Sequence, residues 1–72
     1  MSKQVFDDNL QVLGLPDRAA FNAMIELTPS AIPYKDEMIE VLETISAADL
    51  TTFMEDPMPT DLAIAFKSLR TD

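Results

Sequence analysis

Cysteine and histidine are both missing from this chain of 72 residues. Without a thiol there is no disulfide staple, no thiolate nucleophile and no thiolate metal ligand. Without an imidazole the commonest metal ligand and the commonest general base near neutral pH are gone. Ser2, Ser30, Ser46 and Ser68 therefore have no histidine to activate them. Carboxylates remain, but acid–base work by a pair needs two that are held together with their titrations driven apart. Asp7–Asp8 and Glu55–Asp56 are adjacent in sequence, so on a helix their side chains diverge. The chain reads as a non-enzyme that uses no cofactor.

Glycine occurs once, as Gly14. One glycine cannot serve the turns of a small β-barrel, a glycine-rich phosphate loop or a calcium loop of the D-x-[DN]-x-[DN]-G type. No segment alternates with a period of two, so no strand is predicted. No apolar run approaches the length of a membrane span, and no basic stretch precedes an apolar one as in a signal peptide. With no cysteine to suggest an oxidising compartment, the cytoplasm is the natural location. The chain opens on Met1 and reads as a short gene product of one domain, a kind common in viruses, so the interior of a viral particle is the other location considered.

What is present is acidic. The formal net charge is −8, and the middle of the chain accounts for it. Residues 36–66 hold Asp36, Glu37, Glu40, Glu43, Asp49, Glu55, Asp56 and Asp61 with no lysine or arginine. Such a surface repels phosphate, which argues against direct binding to nucleic acid or to an anionic membrane.

Periodicity and punctuation predict an all-α fold, a bundle of four to five short helices in a single domain over residues 1–72. The cleanest pattern lies in residues 32–45, the stretch around which the chain is predicted to be organised. At ~100° per residue, Tyr34, Met38, Val41, Leu42 and Ile45 share one face, and Asp36, Glu40 and Glu43 share the opposite one. Pro33 suits the first helical position, and Asp36 and Glu37 fall in the first turn, where the helix dipole favours negative charge. Ahead of this stretch, Ser2 is predicted to cap a helix over residues 3–13 that ends at Gly14 in the usual glycine position past a helix end. Its apolar face is Phe6, Leu10 and Leu13. A second helix starts at Pro16 or Asp17 and runs to Leu27, with Phe21, Met24, Ile25 and Thr28 on one face. Residues 28–33 form a connector in which each residue before a proline is driven toward extended backbone, and from which Ala31 and Ile32 are predicted to reach the core. After the central helix, Ser46 and Asp49 resemble a capping box for a helix carrying Leu50, Phe53 and Met54. Pro57 ends it. Thr60 then caps a last helix over residues 61–69, with Leu62, Ala65, Phe66 and Leu69 inward.

The functional reading is a protein–protein interaction protein, a small acidic subunit or adaptor of a larger assembly, viral assemblies included. The predicted partner surface is Asp36, Glu37, Glu40, Glu43, Glu55, Asp56 and Met58. The carboxylates steer a protein with a basic surface, and Met58, held between Pro57 and Pro59, is the apolar anchor. A second copy of the chain is a further candidate partner. The alternative is an acidic inhibitor whose carboxylates imitate nucleic-acid phosphates and block a basic nucleic-acid-binding protein. An ordinary solvated acidic face on a core helix is the plain reading of the same residues.

Overall fold

The computed structural model describes residues 2–70. Five α-helices and one 3-10 turn follow in order: α1 (Ser2–Val12), α2 (Arg18–Leu27), the turn (Ile32–Tyr34), α3 (Lys35–Thr44), α4 (Ala47–Met54) and α5 (Asp61–Leu69). The fold is an all-α bundle, and no strand occurs among the described residues. Its radius of gyration is 11.0 Å, close to the roughly 11 Å at which a chain of this length is fully compact.

The hub is α1 rather than the 32–45 stretch. It packs most extensively on α3, then on α4 and α2, while α5 closes the bundle against α4, α2 and α3. Phe6, Leu10 and Leu13 supply its buried face. They meet Phe21 and Ile25 of α2, Met38 and Leu42 of α3, Leu50 and Met54 of α4, and Ala65, Phe66 and Leu69 of α5 in one cluster. Phe6 and Phe21 pack edge to face at 5.8 Å, and Phe53 and Phe66 do the same at 6.2 Å. Such pairs contribute about 1 kcal/mol each beyond the area they bury.

The helix ends follow the residues. Gly14 takes φ 77°, a conformation that costs any side chain with a Cβ. With Gly14 in place, the Leu15 N–H donates to the Leu10 carbonyl (2.9 Å) and the Gly14 N–H to that of Gln11 (3.0 Å), the paired bonds of a Schellman ending. Leu10 and Leu15 are both buried. The Asp17 side chain accepts from the Ala20 N–H at 2.8 Å, Ser46 from Asp49 at 3.1 Å and Thr60 from Ala63 at 3.2 Å. Each cap stabilises its helix by about 1 kcal/mol.

Four details depart from the sequence expectations. Ser2 is already helical, so it is not the residue that precedes α1. Ile45 is not the last residue of α3 but its extended C-cap, with φ −88° and ψ 148°. Ile32 precedes Pro33 yet lies in the 3-10 turn. Successive i→i+3 bonds, Ala31 to Thr28, Ile32 to Pro29 and Tyr34 to Ala31, hold the segment coiled against the preference of a pre-proline residue. That coiling sends Ala31 into the core but turns Ile32 outward, 50% exposed.

Candidate partner-binding surface

Asp36 and Glu37 occupy the first turn of α3, and Glu40 and Glu43 follow at intervals of three and four residues. All but Glu43 are exposed; Glu43 is half-buried. Neighbouring like charges at these intervals oppose the helix by about 0.2–0.5 kcal/mol per pair, and the dipole offsets part of that for Asp36 and Glu37. The fold brings Arg18 of α2 to this row, its guanidinium 3.9 Å from a carboxylate oxygen of Glu43. Both side chains are well solvated, so the pair contributes well under 1 kcal/mol. Arg18 is oriented mainly by stacking over the Phe6 ring, 3.9 Å from its centroid.

Glu55, Asp56 and Met58 form a second group. Glu55 caps the C-terminus of α4, its N–H shared between the Thr51 and Thr52 carbonyls. Carboxylates at a helix C-terminus are placed against the dipole, so Glu55 brings no benefit to the helix it ends. The Asp56 carboxylate accepts from the Met58 N–H at 2.9 Å, a local turn that fixes the chain before Pro59. Met58 is left 85% exposed. The seven predicted residues thus fall in two groups, a row along α3 and a knob at the α4–α5 connector. α3 and α4 each pack on α1 and share no extensive contact with one another.

Two surface hollows are lined by other residues than these seven. One, of about 280 Å³, is lined by Ser30 and Tyr34 on one side and Asp61, Ile64 and Ala65 of α5 on the other. The other, of about 580 Å³, is lined by Lys3, Asp7, Gln11, Pro16, Asp17 and Arg18, a mixture of signs that selects no charge of partner. Among the described residues, no group of three or more acidic, histidine or cysteine side chains is arranged to hold a metal ion. No helix there is long and apolar enough to cross a membrane.

Asn9 is a polar residue that the pattern of apolar positions passes over. It is buried, and its amide donates to the carbonyls of Leu42 and Ile45 at 2.9 and 2.8 Å. The signal was its spacing: position 9 lies three residues after Phe6 and one before Leu10, on the inward face of α1.

No family model matches the chain, and no curated protein or solved structure matches it.

Proposed function

We propose that this chain is a non-enzymatic protein-interaction protein, a small acidic subunit or adaptor that docks on a partner with a basic surface. The observation that carries the reading is the α4–α5 connector. There an 85% exposed methionine is bracketed by two prolines and set among Glu55, Asp56 and Asp61. A stiffly presented apolar side chain loses little entropy on binding, and a thioether adapts to an irregular pocket. The carboxylates of α3 lie outside any such apolar contact. Their role in this reading is steering, which sets association rate and choice of partner more than the strength of the final complex. The working location is the cytoplasm or the interior of a viral particle.

The test is purification of the tagged protein with its partner at low and at high salt, as the native protein and as a Glu40→Lys/Glu43→Lys variant. A subunit docked by apolar contacts keeps its partner at high salt, and the variant associates more slowly but still forms the complex. Release of the partner by salt, together with loss of the complex in the variant, would defeat this reading and favour a phosphate mimic, whose affinity falls steeply with ionic strength.

A further inference from the structure

The hollow between the 3-10 turn and α5 is small and open. At about 280 Å³ it lies below the roughly 300–1,000 Å³ of sites that enclose small molecules, which makes it a socket for a side chain or two of another polypeptide. Its lining joins the apolar Ile64 and Ala65 to one carboxylate, Asp61. Ala65 is buried beneath it, and Ile64 stands 49% exposed along it. Ile32, on the same 3-10 turn as Tyr34, is 50% exposed. Two isoleucines left half in water on the elements that form one hollow are an unspent apolar contact.

Charge sets the occupant. Asp61 lines the hollow. It is the one charged residue among those that line the hollow; beyond the lining, Lys35 follows Tyr34 directly and Asp36 and Glu37 come next, a net negative charge on that flank. We infer that the hollow lined by Ser30, Tyr34, Asp61, Ile64 and Ala65 receives a bulky aliphatic side chain of a partner segment whose adjacent lysine or arginine pairs with Asp61. This rests on the reading of the chain as a docking protein for a basic partner, and it gives that partner a sequence character: aliphatic residues interleaved with bases. The connector that presents Met58 leads directly into Asp61, so the methionine and the socket engage one partner surface from the two sides of that link.

The experiment is amide chemical-shift mapping on the isotope-labelled full chain, titrated with a short synthetic peptide of the repeat Leu-Lys-Lys-Leu. Oligolysine and a Leu-Glu-Glu-Leu peptide are titrated alongside. Saturable shifts at Ile32, Tyr34, Ile64 and Ala65 with the leucine–lysine peptide alone are the expected result. The expected loss is about tenfold or more in affinity for Ile64→Ser and for Ile32→Ser, with both variants checked for an unchanged helical spectrum. Equal shifts at the same amides with oligolysine would mean that charge alone is read, and would sink the socket. Shifts confined to the α3 row or to Met58 would overturn the socket while leaving the basic-partner reading in place. No shifts with either basic peptide would overturn both. Shifts at the socket that grow with protein concentration alone, with a dimer by sedimentation, would make a second copy the occupant and refute a basic segment.

Discussion

The side chain of Asn9, on α1, takes the place of the missing next turn at the end of α3: its amide nitrogen donates to the carbonyl of Leu42 at 2.9 Å, and to that of Ile45 at 2.8 Å. The last carbonyls of a helix have no intrahelical donor, and here the hub helix supplies one. Both hydrogens of the amide are used, while the Asn9 side-chain oxygen is buried with no hydrogen-bond partner among the described residues.

Removing that donor has a graded cost. Asn9→Leu fills similar volume and removes the unpartnered oxygen, but strands two carbonyls, for a loss of about 1–3 kcal/mol. Asn9→Asp strands the same carbonyls and adds a buried negative charge facing them, so at neutral pH its loss is larger, about 3 kcal/mol or more. A domain of this length holds roughly 4–11 kcal/mol in all. Urea unfolding followed by circular dichroism ranks the variants. An Asn9→Leu variant as stable as the native protein would show that the amide is not acting as a donor in solution.

Gly14→Ala tests the end of α1. At φ 77° an added Cβ costs about 1–2 kcal/mol, which in a domain of this size lowers Tm by roughly 4–8 °C per kcal/mol. A melt within a degree of the native protein would mean that the chain leaves α1 by another route.

These two residues also show what could be seen in advance. Gly14 was legible because its neighbours state its role: an apolar helical face ends at Leu13, and Leu15 and Pro16 follow. The five helices, their caps at Ser46 and Thr60, and the inward Phe6, Phe21, Leu42 and Phe66 were legible for the same reason, since each is fixed by local spacing. Asn9 depends on a contact with residues 33 and 36 positions away, which periodicity can locate on a face but cannot supply with a partner. The coiling of Ile32 arises from three consecutive turns, each weak alone, against a local rule that pointed the other way. The predicted acidic row emerged as one face of α3, but its relation to Glu55, Asp56 and Met58 depends on how α3 and α4 splay around α1. The socket beside Asp61 needs the 3-10 turn to lie against α5, a tertiary fact with no trace in either segment.

The acidic row should be a burden on the isolated protein. Glu40 has Asp36 four residues before it, Glu37 and Glu43 three residues to either side, and the weak Arg18–Glu43 pair beyond them. Glu40→Lys converts these repulsions to attractions of about 0.2–0.5 kcal/mol each, so the variant melts at the same temperature as the native protein or slightly above it. Added salt shortens the screening length from ~30 Å at 0.01 M to ~3 Å at 1 M and should raise the Tm of the native protein more than that of the variant. A lower Tm for Glu40→Lys would give the carboxylate a structural duty and weaken the case for a steering role.

Met58 separates binding from folding most cleanly. At 85% exposure its side chain contributes almost nothing to the core, so Met58→Ala changes stability by no more than about 0.5 kcal/mol. The backbone turn that presents it depends on Asp56, whose carboxylate accepts the Met58 N–H at 2.9 Å, and Asp56→Ala leaves the methionine in place on a looser loop. If Met58 anchors a partner, Met58→Ala weakens the complex through faster dissociation, since lost contacts act on the off-rate. Asp56→Ala weakens it less, through the entropy of re-ordering the connector. Surface plasmon resonance against the co-purified partner reads both. An unchanged off-rate for Met58→Ala would remove the methionine from the interface and leave the socket beside Asp61 as the apolar contact to test.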